Sequence, residues 1–431
     1  MEKEISIGLL GLGVVGSGVI QIINDHQKEL QHQLGHSIKV AKVLVRDIEK
    51  SREIEIDEEA LTTNPDDVIN NDDIDVIVEV MGGIDETREL MLKAFAAKKH
   101  IVTANKDLIA LHGPELEKVA QENGCDLFYE ASVGGGIPLL RSLSDGLVSD
   151  RIEQVMGIVN GTTNYILTKM DEDGQSYEDA LADAQRLGFA EANPTADVEG
   201  LDAARKMVIL ARLSFLTNVE LDDVDVKGIS DLSIVDLDYG KKLDLTMKLI
   251  GFANRHDNQV EVSVQPTFLP NTHPLSSVKN EYNAVYVNAE AVGETMFYGA
   301  GAGGLPTATA IMSDVVVAIK NMLLGVNGKQ LIKPSFKKEL TPPENKISQF
   351  YLRLHVKDEI GAFASISELF NQKDISFERI LQTPKENSDL AEVVVVTHLT
   401  SLQNFTDALK LLDELNVVKA VKSYFRVEGG A

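Results

Sequence analysis

The stretch from Gly188 to Lys206 gathers acids, an amine and turn residues into one run. It opens with Gly188 after a helical segment and turns at Asn193-Pro194. A second helical segment begins near Gly200. Asp202 and Lys206 are four residues apart, so a helix sets them on one face. A carboxylate and an amine held together can bind an amino alcohol and take its hydroxyl proton, if the surroundings lower the lysine's proton affinity. An arbitrary pair at this spacing is usually a surface ion pair, and the flanking loop is what distinguishes this one. Lys106 follows an apolar run at 100–103. Glu130 ends another and precedes Ala-Ser-Val-Gly-Gly-Gly-Ile-Pro138, whose glycines leave backbone carbonyls free to face a ligand or a cation.

Near the N-terminus, Gly11-Leu12-Gly13-Val14-Val15-Gly16 matches G-x-G-x-x-G. The match alone is weak, but here it follows a strand-like run and opens a helical one, the context a dinucleotide fingerprint requires. Gly11 permits the tight turn, Gly13 lets a pyrophosphate approach the backbone, and Gly16 lets helix and strand close up. The second strand-like run ends Leu44-Val45-Arg46-Asp47. Arg46 stands where a guanidinium meets a 2′-phosphate, which favours NADP. Asp47, one residue later and acidic, leaves NAD open. A second glycine-rich loop, Gly299-Ala-Gly-Ala-Gly303-Gly304, precedes a helix and suits either a cover over the cofactor or a simple turn.

These residues need a frame. Apolar runs at 5–10, 38–45, 75–80, 100–103 and 126–131 alternate with helical stretches, which implies βαβ units and a parallel sheet. Such sheets bind ligands beyond the carboxyl ends of their strands. Helices are expected at 176–188, 200–217 and 305–324, with strands at 260–264 and 284–292 between them, an α+β pattern. Residues 350–427 read as βαββαβ. The fold class is therefore α/β, with a Rossmann-type dinucleotide-binding domain over 1–134 to which helix 305–324 returns. An α+β catalytic and dimerisation domain covers 135–325. A lysine-bearing linker at 326–347, broken by Pro334, Pro342 and Pro343, reads as a solvated tether rather than an anion site. A ferredoxin-like domain covers 348–431.

With 431 residues, 44% of them hydrophobic, the chain can fill several cores. Its 41 basic and 67 acidic residues give a formal charge of −26, which disfavours nucleic acid and anionic membranes as partners. A single cysteine, Cys125, excludes an intrachain disulfide. No leader and no membrane span is expected, so the reading is cytoplasmic. The nine histidines are scattered, and no zinc is expected.

On these motifs, and over essentially the whole length, the chain resembles the homoserine dehydrogenase family, in its monofunctional form with a C-terminal ACT domain. The resemblance is carried by Ala184 through Gly188, Asn193-Pro194, Asp197, Gly200 and Asp202 to Lys206. Thr103-Ala-Asn-Lys106-Asp, Glu130 to Pro138 and Asn160-Gly-Thr-Thr-Asn164 add to it. It implies NAD(P)-dependent interconversion of L-homoserine and L-aspartate 4-semialdehyde, on the route to threonine and methionine. By position, Lys206 would be the proton donor or acceptor, with Lys106 between cofactor and substrate. Glu191 and Asp202 would hold the substrate, and Gly188 and Gly303 would touch the cofactor. Glu130 with the backbones of Val133, Gly135 and Ile137 would bind sodium, an oxygen-only set that suits a hard cation. The resemblance also implies a homodimer or homotetramer, and L-threonine as an effector at Asp358-Glu-Ile-Gly361. No fused kinase domain is expected ahead of the first strand. Asn193 and Ala196 depart from the aspartates that many relatives carry. Two other readings compete: a dehydrogenase of another small amino or hydroxy acid, and a non-catalytic sensor. Glu191, Asp202 and Lys206 weigh against the first, and the two lysines weigh against the second.

Overall fold

The structure, a computed structural model, describes residues 4–429 apart from residue 53, residues 330–335 and residues 386–387. The chain forms two compact units of three segments each. Unit 1 holds Met1–Ile152, Arg205–Asp222 and Asn283–Lys337, and unit 2 holds Glu153–Ala204, Asp223–Tyr282 and Lys338–Ala431.

In unit 1, strands β1 (Ile5–Leu10), β2 (Ile38–Leu44), β3 (Leu61–Thr62), β4 (Ile74–Glu79), β5 (His100–Thr103) and β6 (Leu127–Phe128) form a parallel sheet. Its order is β3-β2-β1-β4-β5-β6. β1 and β5 are buried along their whole length, as expected of strands covered on both faces. Strand order reverses between β1 and β4, and the loops that follow those two strands therefore diverge and open a crevice. The sixth strand is shorter than the run 126–131 suggests. Glu130 lies beyond it, in a 3-10 turn over Glu130–Ser132.

The helix Gly304–Leu324 packs on the first helix, Val14–Asp25. A Cβ on Gly18 would come within 2.8 Å of the Gly304 carbonyl, so the two backbones meet at glycines. Val19, Ile23, Ala308, Ile311, Val315 and Ile319 share one buried core with the sheet. Each large aliphatic buried this way contributes about 1.5–3 kcal/mol. The late helix is long and apolar enough to cross a membrane, but 56% of its most apolar window is buried inside the protein, the mark of a core helix. Its far end is clasped by Asp126, a side chain 1% exposed. The carboxylate accepts from Asn321 Nδ2 (2.8 Å), Asn327 Nδ2 (2.7 Å) and the Gly328 amide (2.7 Å).

In unit 2, β7 (Ile152–Ile158), β8 (Val224–Val226), β9 (Leu245–His256) and β10 (Gln259–Pro270) precede two strands of unit 1, β11 (Tyr282–Ala289) and β12 (Gly293–Ala300). The C-terminal part runs β13 (Ile347–Lys357), helix Ala362–Asn371, β14 (Phe377–Pro384), β15 (Leu390–Thr397), β16 (Thr400–Ser401), helix Leu402–Leu412 and β17 (Val418–Val427). Within unit 2 the strand order is β7-β9-β10-β17-β13-β15-β14. The strands of the βαββαβ segment are antiparallel to one another and continue the same sheet, β17 pairing in parallel with β10 at Thr267–Arg426 and Phe268–Val427. Its core includes Phe350 and Phe405, stacked with centroids 4.0 Å apart.

Helices stand at Tyr177–Arg186, Leu201–Phe215 and Gly304–Leu324, close to the three expected. The strand expected at 260–264 lies in the first half of a twelve-residue one, and β12 extends to the glycine-rich loop. The expected linker is not a loose tether where it is described. Val260 exchanges backbone hydrogen bonds with Glu339 and Thr341, and Lys338 and Lys346 pair with Asp223 (2.8 Å) and Asp225 (2.6 Å). Acidic neighbours are where those lysines go. Lys333 and Pro334 lie outside the described residues.

Candidate active site

The glycine loop sits at the mouth of the crevice in unit 1. Gly11 has φ +108°, and its amide donates to the Leu44 carbonyl at 3.0 Å. A Cβ there would stand 3.0 Å from the Met81 backbone, and one on Gly16 would stand 2.5 Å from the Gly11 carbonyl. Gly13 faces open space. The helix that starts after it has no capping side chain and no acid in its first turn, so its amides offer an uncompensated positive end. Leu12 and Val15 are half-buried and Val14 is exposed.

Arg46, just past β2, is exposed. Its neighbours are engaged in the loop itself. Asp47 accepts from the Glu49 amide at 2.9 Å, and Arg52 donates to the carbonyls of Asp47, Ile48 and Lys50.

Across the crevice, Glu79 at the end of β4 is fully buried. Its carboxylate accepts from the amides of Met81 (2.9 Å) and Gly82 (3.1 Å) and from the Thr103 hydroxyl. Burial pushes this carboxyl up, against the pull of those donors. Asn105 caps the helix Lys106–Glu122 by accepting from Leu108, and its Nδ2 donates to the Gly83 carbonyl at 2.7 Å. Lys106 is thereby held at a helix start beside the β4 loop, half-buried.

The helix Leu201–Phe215 carries Asp202 and, one turn later, Lys206. Its unit 1 part is fixed to helix Lys106–Glu122 in two places. Arg205 pairs with Asp107 at 2.8 Å, and Arg212 donates to the carbonyls of Ile109 and Ala110. The first tie sits one residue from each lysine.

In unit 2, Asp202 is 6% exposed. Asn160 Nδ2 donates to Asp202 Oδ2 at 2.9 Å and to Asp197 Oδ1 at 2.7 Å, so one amide joins two carboxylates. Gly188 and Glu191 are exposed. The Glu191 carbonyl accepts from Gln185 Nε2 at 3.1 Å. Asn193 caps its own turn through Thr195, a task an aspartate performs as well.

Glu130 is buried, and its two oxygens accept from the amides of Leu139 (2.6 Å), Leu140 (2.7 Å) and Arg141 (2.8 Å). Asp314 receives the Glu130 amide at 2.9 Å and pairs with Arg141. Burial pushes the Asp314 carboxyl up to about 7. Val133, Gly135 and Ile137 are buried, and no hydrogen bond reaches their carbonyls among the described residues. Three such carbonyls beside a carboxylate with a lone pair to spare form a donor set that fits a hard cation. Gly303, φ +128°, caps the helix Gly304–Leu324, and its loop presses on Gly135 and Gly136. Among the described residues no group of three or more His, Cys, Asp or Glu could hold a metal ion.

Sequence reasoning missed Glu79 and Lys248, and it took Asn160 only as part of a motif, without a role. An acid closing an apolar strand was the available signal for Glu79, and an Asn before a helical run was the signal for Asn160. Lys248 is 2% exposed inside β9, with nothing local to mark it. It donates to Asn164 Oδ1 at 3.0 Å and to the Val278 carbonyl.

Comparison with known proteins bears on the whole chain. A family model for the NAD-binding domain of homoserine dehydrogenase matches residues 11–130, and one for homoserine dehydrogenase matches residues 138–316. The chain is 57% identical to a homoserine dehydrogenase of Bacillus subtilis over 99% of each. It is 42% identical to one of Corynebacterium glutamicum, over 99% of this chain and 96% of the other. The crystal structure of a homoserine dehydrogenase from Thiobacillus denitrificans matches at TM-score 0.92 and 36% identity, covering 99% of each chain. A shorter structure from Archaeoglobus fulgidus matches at TM-score 0.65 and 32% identity, covering 73% of this chain and 98% of its own.

Proposed function

The chain belongs to the homoserine dehydrogenase family, and from that premise we propose that it interconverts L-homoserine and L-aspartate 4-semialdehyde on the route to threonine and methionine. The observation that carries the reading is the buried Asp202, joined to Asp197, one helical turn ahead of Lys206.

A nicotinamide dinucleotide, when bound, supplies the hydride acceptor or donor. The open amides of the Gly11–Gly16 loop and the first helix would bind its pyrophosphate. Arg46 favours NADP over NAD, because its neighbouring cation Arg52 is already committed to carbonyls and Arg46 is exposed. Gly188 and Gly303 would allow close approach of the cofactor. Asp202 and Glu191 bind the substrate's polar end, Glu191 closing on it from its exposed loop. Lys206, as the free amine, takes the hydroxyl proton as the carbinol carbon loses hydride. In reduction the ammonium returns that proton to the carbonyl oxygen. Lys106, held by the Glu79 and Asn105 framework, orients the reacting carbon.

Glu130 with the carbonyls of Val133, Gly135 and Ile137 would hold a sodium ion, a structural role that rigidifies the loop. Residues 1–134 with the helix Gly304–Leu324 serve as the dinucleotide domain and 135–325 as the catalytic and dimerisation domain. Residues 348–431 form an ACT domain. Its βαββαβ sheet supports that reading, as does a shorter relative that leaves about a quarter of this chain unmatched. L-Threonine is the proposed effector at Asp358–Gly361, where Gly361 has φ +88° and Ile360 is fully exposed. The enzyme would be a cytoplasmic homodimer or homotetramer.

The test is oxidation of L-homoserine with NADP and with NAD, by the native chain and by Lys206→Ala. Turnover lost in the variant, with dinucleotide binding retained, supports the assignment. A native chain that binds dinucleotide but does not oxidise homoserine refutes it.

A further inference from the structure

We propose that Asn160 is a positioning residue for substrate binding, acting through the carboxylates of Asp202 and Asp197; this rests on the functional reading above. Asn160 is 5% exposed and caps the helix Gly161–Asp173. Its Oδ1 accepts from the Thr163 amide at 2.9 Å and the Thr163 hydroxyl at 3.0 Å. Two donors on one side settle which end of the carboxamide is oxygen, so the NH2 end must face the other way. There it meets Asp197 and Asp202, one N–H for each.

Two carboxylates within reach of one nitrogen repel each other, and in a buried setting that repulsion drives protonation of one of them. A lysine or arginine at 160 would relieve the repulsion by cancelling charge. The neutral amide instead gives one N–H to an oxygen of each acid and adds no positive charge that would compete with a cationic amine for them. Its spacing also couples the acids, since moving one drags the donor shared with the other.

The rest of the Asn160-Gly-Thr-Thr-Asn164 motif braces this bridge. A Cβ on Gly161 would lie 2.6 Å from the Glu281 carbonyl, so that turn admits only glycine without a shift. The Thr162 hydroxyl donates to the Phe189 carbonyl and fixes the loop that leads to Glu191. Asn164 Nδ2 donates to the Asn280 carbonyl at 2.8 Å, while its Oδ1 takes Lys248. The helix start therefore cannot slide without breaking contacts in two segments of unit 2.

Asn160→Ser and Asn160→Asp in the full chain test the role. Both residues are good helix caps, so each variant retains the capping acceptor and folds. Serine lacks the two N–H donors, and aspartate sets a third carboxylate against the first two. Expected for Asn160→Ser is a rise of about tenfold to a hundredfold in KM for L-homoserine, the weight of one or two charge-assisted hydrogen bonds. The KM for dinucleotide stays within twofold of native, and Asn160→Asp shows the larger loss. An active native enzyme whose homoserine KM is unmoved in both folded variants overturns the role while leaving the dehydrogenase reading intact. A parallel rise in both KM values overturns it too, assigning Asn160 to the fold alone. An inactive native enzyme sinks both.

Discussion

Lys248 offers a direct trial of the electrostatics. Its ammonium is 2% exposed and its two hydrogen-bond partners, Asn164 and the Val278 carbonyl, are neutral. Desolvation lowers its pKa from 10.5 to about 8, with Asp171 and Glu172 pulling weakly the other way. The folded pKa is thus depressed below the unfolded one. Between pH 8 and 10.5 the unfolded chain binds a proton that the folded chain has released. Stability contributed by this site therefore rises with pH across that window, by up to about 1.4 kcal/mol per unit. From pH 7.5 to 10 the gain is roughly 2–3 kcal/mol. Below pH 8 both states carry the proton and the slope vanishes. Lys248→Met retains the length of the side chain and removes the titration. Urea unfolding of both proteins, followed by far-UV circular dichroism from pH 7 to 10, isolates the site, because tyrosines and other lysines cancel in the difference. The native chain should gain on Lys248→Met by that amount above pH 8. A difference that stays flat or falls with pH refutes the desolvation argument.

Two further outcomes follow from the geometry. Asp126→Ala strands three half-buried donors at the end of the helix Gly304–Leu324 and should destabilise unit 1 by about 1–3 kcal/mol, read as an earlier unfolding transition; a loss under about 0.5 kcal/mol would show the clasp to be idle. Arg46→Ala should raise KM for NADP by about tenfold to a hundredfold and leave KM for NAD within twofold; an equal effect on both would remove Arg46 from 2′-phosphate recognition.

The parallel sheet and its glycine loop were legible because period, β-branching and turn chemistry are local. Gly11 and Gly16 follow directly from backbone crowding, and Asp202 and Lys206 from helical spacing. What escaped is nonlocal. Asn160 reads as an ordinary helix cap until the chain brings in Asp197 and Asp202, 37 and 42 residues away. Lys248 interrupts an apolar strand, and only the fold reveals that Asn164 awaits it. The lysines at 338 and 346 looked like a solvated run because their partners, Asp223 and Asp225, lie more than a hundred residues earlier. The interleaving of the two units has the same origin: segment boundaries set by contact leave no mark in composition.

The helix Gly304–Leu324 also sets a schedule for synthesis. Ala308, Ile311, Val315 and Ile319 complete the core begun by β1 and the first helix, yet some 150 residues separate residue 152 from that helix. At about 5–20 residues per second on a ribosome, the N-terminal sheet waits roughly 8–30 seconds for its missing wall. During that interval the apolar face destined for Gly304–Leu324 is bare to water or to a chaperone. A nascent chain stalled before residue 304 should therefore be sensitive to protease across residues 4–152, and one stalled well after residue 329, with that segment clear of the exit tunnel, should be resistant.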